Sequence, residues 1–438
     1  MDWNSLKQSL SPTTRFNRDV LWNIGSLGVL GVAGIALNFV IGRYAGAAAL
    51  GVFNQVYAIY IVLSQLAVGG VHTSVLKGVS HHQQDPTRCA HIMSSALLLG
   101  ALLSGSVCVL AYLARGFAGR LLQSPDVVTG LTYALPGLLL FSLDKILLNV
   151  LNGARHMRAF AVFNALRFVF ILGAILAILG IGAAPVYLPL SFTIAEAMMF
   201  VGLSGYVAAR LFLPRLPRSL RADLAEHLSF GARGVLSGII SDLNTRVDVL
   251  MLGYFLTDAK VGIYTMAATL AEGFLMLPIV IQRNVNPILG RCFAEGDAAK
   301  IESMSRRIRR LLHPAMAAIG LAAALANPQL INQFFPGQGF REGWPAFCIL
   351  AAGVVILSGY APMGGILFQG GRPGMQTLRM ALVILGNAAL NATMIPLFEW
   401  YCGAGISGAA TATAIAYVLQ AVLLLIFSRR LFGVILWR

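Results

Sequence analysis

Apolar runs of about 20 residues recur along the whole of this 438-residue chain. That is the length a helix needs to cross the roughly 30 Å hydrocarbon core of a bilayer. About twelve such runs can be read, near 20–42, 52–76, 90–113, 127–151, 159–182, 186–209, 229–256, 262–287, 313–334, 345–369, 376–397 and 404–427. Inside lipid a backbone has to satisfy its own hydrogen bonds, which a helix does segment by segment. The fold class expected is therefore an all-α integral membrane protein with about 12 transmembrane helices. Composition agrees: 58% of residues are hydrophobic and 11% charged, against about a quarter charged in a soluble domain.

A net charge of +15 would suit a nucleic-acid partner, but its distribution argues against one. With the N-terminus placed in the cytoplasm and the helices alternating, 22 of the 32 Lys and Arg residues fall in inside segments. Lys7, Arg15, Arg18, Arg218, the Arg306 to Arg310 cluster and Arg438 are among them. Outside segments hold five: Arg43, Arg115, Arg120, Lys260 and Arg341. This is the positive-inside asymmetry of an even number of spans with both termini cytoplasmic, so no nucleic acid is expected. Trp3, Trp22, Trp344, Trp400 and Trp437 fall at or near expected helix ends or termini, as interfacial aromatics do. The N-terminal stretch is polar and the first span long, so no cleavable signal peptide is expected. Five scattered cysteines show no ligand spacing. Neither a metal nor a cofactor is expected.

The chain also resembles itself. "AALGVF" (48–53) matches "AKVGIY" (259–264) at an offset of 211, and "NFVIGRY" (38–44) lies over "DVLMLGY" (248–254). Further on, "VLNGAR" (150–155) matches "LFQGGR" (367–372), and Asp85 and Asp297 each look like a helix N-cap. Repeats separated by six spans have the same orientation in the membrane. The expected organisation is two six-helix bundles, 1–209 and 229–438, joined by a partly helical cytoplasmic linker at 210–228. In "DAAKIESMSRRIRRLLHP" (297–314), apolar residues share one face and arginines the other. That pattern suits a helix on the inner leaflet surface, or an ordinary connector.

"SDLNTRVDVLMLG" (241–253) puts Asp242, Arg246 and Asp248 into an apolar span. At 100° per residue, Arg246 lies about 40° from Asp242, and Asp248 about 120° away on the other side. Leu243, Val247 and Leu250 occupy the opposite face. Each charge at the membrane centre costs about 2.5–3.5 kcal/mol, so the polar face is expected to meet protein or a wet cavity. Asp242 and Arg246 are spaced to pair, whereas Asp248 needs a partner on another helix. Other spans carry His72, Gln65 and Asn54; Asp144 and Lys145; Arg167; Glu196; and Glu272 with Arg283, while Arg233 shares the span of Asp242. A set this large reads as the lining of a hydrated passage, since buried ion pairs are poor stabilisers. No P-loop, zinc spacing or nucleophile elbow occurs, and no loop is long enough for a soluble domain. The chain is expected to move something and not to be an enzyme.

Three stretches carry a resemblance: "RYAGAAALGVFNQVYAIYIVLSQLAVGGVHTSVLKGVS", "RVDVLMLGYFLTDAKVGIYTMAATL" and "VLNGARHMRAF". They resemble the polysaccharide (O-antigen type) flippases of the multidrug/oligosaccharidyl-lipid/polysaccharide exporter superfamily. The resemblance implies a V-shaped pair of bundles around a central cavity. It further implies an undecaprenyl-pyrophosphate-linked oligosaccharide flipped from the inner to the outer leaflet of a bacterial cytoplasmic membrane. Polysaccharide polymerases and glycosyltransferases would be partners, alongside membrane lipids. A pyrophosphate calls for fixed positive charge, which arginine supplies as a planar fork of donors. The expected substrate contacts are Arg246, Arg283 and Arg167, with Lys145, Gln65 and His72. Asp242, Asp248 and Glu272 are the expected groups for exchanging a coupling H+ or Na+. The rival readings are a multidrug exporter of organic cations with a similar fold, a polysaccharide polymerase or ligase, and a membrane scaffold.

Overall fold

The computed structural model describes residues 15–217 and 219–436; Trp3, Lys7, Arg218, Trp437 and Arg438 lie outside them. The described residues form helices joined by short turns and coil, without a strand. In chain order the helices are α1 (Arg15–Val68), α2 (Val71–His81), α3 (Pro86–Leu121), α4 (Pro125–Gly153), α5 (Met157–Gly180), α6 (Leu190–Arg210) and α7 (Leu220–Phe255). Then follow α8 (Asp258–Glu295), α9 (Ala298–Phe334), α10 (Trp344–Ser358), α11 (Ile366–Gln369), α12 (Pro373–Cys402) and α13 (Gly405–Phe432).

Ten segments among the described residues are long and apolar enough to cross a membrane. Two features account for the difference from twelve. The first two expected spans run together as α1, 54 residues long, broken at Gly46. There φ is 85° and ψ 177°, a backbone state that glycine enters without a Cβ clash. The second feature is α7, whose Asp242, Arg246 and Asp248 dilute its apolar character. Two expected N-caps are present: Asp85 Oδ1 accepts from Arg88 N and Asp297 Oδ1 from Lys300 N, both at 2.9 Å. The expected inner-surface helix at 297–314 takes a different form. It is the first half of the 37-residue α9, and Ile301, Met304 and Ile308 pack against α8, α13 and the C-terminal Val434 and Leu436. Its apolar stripe thus finds protein to cover it, while Leu311 stays exposed. The span expected over 345–369 ends at Ser358 and continues as a short turn and α11, both with buried apolar side chains.

The chain forms two compact units. Among the described residues, unit 1 comprises 15–37, 60–116, 128–217 and 219–239, and unit 2 comprises 38–59, 117–127 and 240–436. The core of unit 1 is an aliphatic cluster from α2, α3, α4 and α6, including Val75, Met93, Leu147, Leu151 and Met199. His227 on α7 is buried against this unit between Ser74 Oγ (2.9 Å) and Ser95 Oγ (3.1 Å). Its burial holds the imidazole pKa below the ordinary value.

Unit 2 gathers four of the five basic positions expected outside: Arg43, Arg120, Lys260 and Arg341. Within it α1 crosses α8 at backbone contact. A Cβ on Gly51 would lie 1.9 Å from the Asp258 carbonyl oxygen, and one on Gly262 1.8 Å from that of Ala47. The crossing tolerates no side chain at either position. Both contacts join residues close to the 211-residue offset of the sequence repeat. A reciprocal contact of this kind is what a two-fold relation between repeats produces. Asp258 is also held by Gln55 Nε2 (2.6 Å) and Ser124 Oγ (2.7 Å).

Candidate functional site

The polar residues of the apolar spans collect in two places, one in each unit. In unit 2 they surround Asp248. The sequence shows that its carboxylate needs a partner from another helix, and three helices supply one. Asn387 Nδ2 and Asn391 Nδ2, one turn apart on α12, donate to Oδ1 at 2.7 and 2.8 Å. Thr413 on α13 and Tyr264 on α8 donate to Oδ2 at 2.7 and 3.1 Å. Four neutral donors fill the acceptor sites of an ionised carboxylate, which accepts about four hydrogen bonds. None of the four is charged. Asn387 and Asn391 give no local signal beyond their spacing in an apolar helix; an i, i+4 pair of amides in a span is the pattern that could have found them.

Asp248 forms part of the wall of a cavity of about 30 Å³ in unit 2. Asn54, Arg246, Thr265, Glu272, Thr413 and Tyr417 line it too. Space of that size holds about one or two waters. Arg246 lies with its guanidinium carbon 4.7 Å from the centre of the Tyr57 ring. Its Nε is buried without a hydrogen-bond acceptor among the described residues. Glu272 is its nearby carboxylate, and an exposed one. Arg246, Asp248 and Glu272 therefore line one cavity. Asp242 is on the same helix but does not line this cavity. Arg283 stands farther along α8, exposed, beyond the cavity wall.

The other predicted residues belong to unit 1. Arg167 and Lys145 flank the ring of Phe141, with the guanidinium carbon at 4.5 Å and Lys145 Nζ at 4.7 Å from its centre. Lys145 Nζ also donates to Ser64 Oγ at 3.2 Å. Arg167 forms an ion pair with Glu196, Nε to Oε1 at 2.9 Å. His72 is close enough to Lys145 to feel its charge, and Gln65 packs on Gly238 of α7. Glu196 and its neighbour Asp144 are among the acids visible in the sequence, but no spacing rule joins residues 52 positions apart.

Comparison with known proteins places these features. The family described as polysaccharide biosynthesis protein matches residues 16–292. A relative from Haloferax volcanii, described as a probable low-salt glycan biosynthesis flippase, Agl15, is 23% identical over 392 residues. That match covers 87% of this chain and 76% of the relative. Among solved structures, the lipid II flippase MurJ in an inward closed conformation aligns with a TM-score of 0.74 at 15% identity. It covers 94% of this chain and 87% of that one. An inward-facing multidrug resistance MATE family transporter of the MOP superfamily aligns with a TM-score of 0.72 at 18% identity, covering 92% and 94%. At these identities the structural likenesses speak for the fold.

Proposed function

Because the chain belongs to the polysaccharide biosynthesis protein family, we propose that it is a flippase for a lipid-linked oligosaccharide. In this reading the glycan is carried on a polyprenyl pyrophosphate, of which undecaprenyl is the bacterial form. It crosses from the inner to the outer leaflet of the cytoplasmic membrane for surface polysaccharide assembly, O-antigen among the candidates. A polymerase and glycosyltransferases would act before and after it. The name of the archaeal relative supports the cargo class.

One observation carries the reading: Arg283 is an exposed arginine in an apolar span. It lies 25 residues beyond Asp258, about 37 Å along the helix at 1.5 Å per residue. If Asp258 stands at the outer surface, Arg283 reaches the level of the inner headgroups, where a pyrophosphate would be met. A guanidinium binds phosphate oxygens in pairs, and the polyprenyl tail can stay in lipid. Arg246 is the second proposed cationic contact, farther along the same route. Lys145, Gln65, His72 and Arg167 are proposed as polar contacts in unit 1, Arg167 already sharing its charge with Glu196. Coupling to H+ or Na+ is proposed at Asp248 and Glu272, with Asp242 on the same helix in support. The alternative is export of organic cations, which the MATE-like fold equally accommodates; intramembrane arginines argue against it.

The test is transbilayer movement in liposomes. A fluorescent polyprenyl-pyrophosphate oligosaccharide is incorporated, and its exposure to an impermeant quencher is followed over time. The expected result is protein-dependent movement, reduced at least roughly tenfold by Arg283→Ala, the loss of a charged hydrogen-bonded contact. Movement untouched by that change keeps the flippase and rejects the phosphate contact. No movement, with extrusion of an organic cation from the same vesicles, favours the drug exporter.

A further inference from the structure

Asp144 on α4, Arg167 on α5 and Glu196 on α6 meet inside unit 1. The two acids are 0% and 2% exposed. Arg167 Nε serves Glu196 alone, at 2.9 Å from Oε1 and 3.2 Å from Oε2. Neither oxygen of Asp144 has a hydrogen-bond donor among the described residues. The group its carboxyl does reach, at hydrogen-bonding range, is the carboxyl of Glu196. Two ionised carboxylates are acceptors only and repel each other. Burial without a donor would heavily penalise an anion at Asp144. A single proton resolves both conflicts: Asp144 O–H donates to Glu196, and Glu196 stays ionised against Arg167.

The neighbouring charges do not supply another solution. Arg167, Lys145 and, beside Lys145, His72 are the bases that face the pair. Lys145 follows Asp144 in sequence but projects about 100° around the helix. It is engaged with Ser64 and the Phe141 ring. A metal ion is a poor occupant, because a guanidinium already fills the positive position against Glu196. No group of three His, Cys, Asp or Glu side chains able to hold a metal occurs among the described residues.

We propose that Asp144 and Glu196 form a proton-binding site in unit 1, holding one exchangeable proton between two carboxyl groups, with Arg167 as the cation that takes its place. When the proton leaves, the Asp144 O–H bond breaks, the electron pair stays on oxygen and the proton passes to water. Asp144 then needs a donor. Arg167 Nη2 is buried and has no acceptor of its own among the described residues, so it is the group placed to turn to Asp144. That turn would shift the packing of α5 against α4 and α6, which ties proton occupancy to the conformation of this unit. The site is separate from the Asp248 cluster and does not rest on the identity of the cargo.

The test is infrared spectroscopy of the full chain in lipid nanodiscs, with Asp144→Asn and Glu196→Gln, and Asp248→Asn for comparison. At neutral pH the wild type is expected to show the carbonyl band of a protonated buried carboxylic acid, lost on raising the pH. Asp144→Asn and Glu196→Gln should each lose that band, because each replaces the proton by an amide hydrogen. Asp248→Asn should keep it. In an alkaline jump followed with a pH dye, each of the first two variants should release one proton per chain fewer than the wild type. A band and a proton yield unchanged in either variant overturn the proposal. If one variant fails to fold, the other decides the matter. A protein that keeps the band but moves no lipid-linked glycan refutes the cargo reading and leaves this site standing.

Discussion

The two units answer the same difficulty, a carboxyl group deep among apolar helices, in opposite ways. Unit 2 surrounds one carboxylate with four neutral donors from three helices. Unit 1 sets two carboxyl groups against each other, gives one of them a guanidinium and leaves the other without a donor among the described residues. The first arrangement holds an ionised carboxylate at rest, since every acceptor site is occupied, and a coupling ion there has to displace a donor. The second suits a group that changes its charge, since one proton is all that reconciles it with its neighbour. Hydrogen-bond supply separates the two, and so does burial, Asp144 being fully buried and Asp248 half-buried.

Substitutions can test that contrast, beginning with the one of largest expected effect. Arg167→Leu removes the cation from a buried ion pair and should lower stability by about 3–5 kcal/mol. Thermal unfolding in nanodiscs would measure it, and a double change that also makes Glu196 apolar should recover most of the loss. If Arg167→Leu is tolerated as well as a surface change, the pair is not ionised at all. Asp248→Asn should cost about 3 kcal/mol, because the amide accepts fewer hydrogen bonds and turns its own NH2 toward donors. Asp144→Asn should cost less than about 1 kcal/mol, because the amide imitates a protonated carboxyl and still donates to Glu196. Equal losses at Asp144 and Asp248 would erase the distinction drawn between them.

The smallest effect concerns acid. His227, outside the apolar spans, is neutral in the fold, its pKa held below the usual 6.5 chiefly by burial. A base with a depressed folded pKa contributes stability above its unfolded pKa and loses it as pH falls through and below that value. Stability of unit 1 should therefore decline on acidification below about pH 6.5, and His227→Gln should flatten that decline. Acid unfolding of both proteins separates this step from the alkaline proton release expected at Asp144 and Glu196.

Much of the architecture was legible because hydropathy acts residue by residue. The apolar runs, the N-caps at Asp85 and Asp297 and the polar face of α7 could all be read from local order. The polar stripes that carry Arg246, Asp248 and Glu272 were legible as well, but that the three line one cavity was not. The partners of Asp248 were less so. Asn387, Asn391 and Thr413 are 139 to 165 residues away, and nothing in a single sequence fixes which helix turns which face toward α7. The apolar stripe of α9 misled for the same reason, since a face that suits a lipid surface equally suits α8 and α13.

Residue order alone establishes that this chain crosses a membrane many times, that its intramembrane charges cannot face lipid and that Gly51 and Gly262 are related by a repeat. Each follows from transfer energies or from patterns that need only neighbours along the chain. Only packing in three dimensions brings those two glycines to the same helix crossing, gives Asp248 four donors and leaves Asp144 with none among the described residues. Contact between helices depends on their rotation and depth. Those are set by packing over the whole bundle, where side chains of equal hydropathy are not interchangeable in shape.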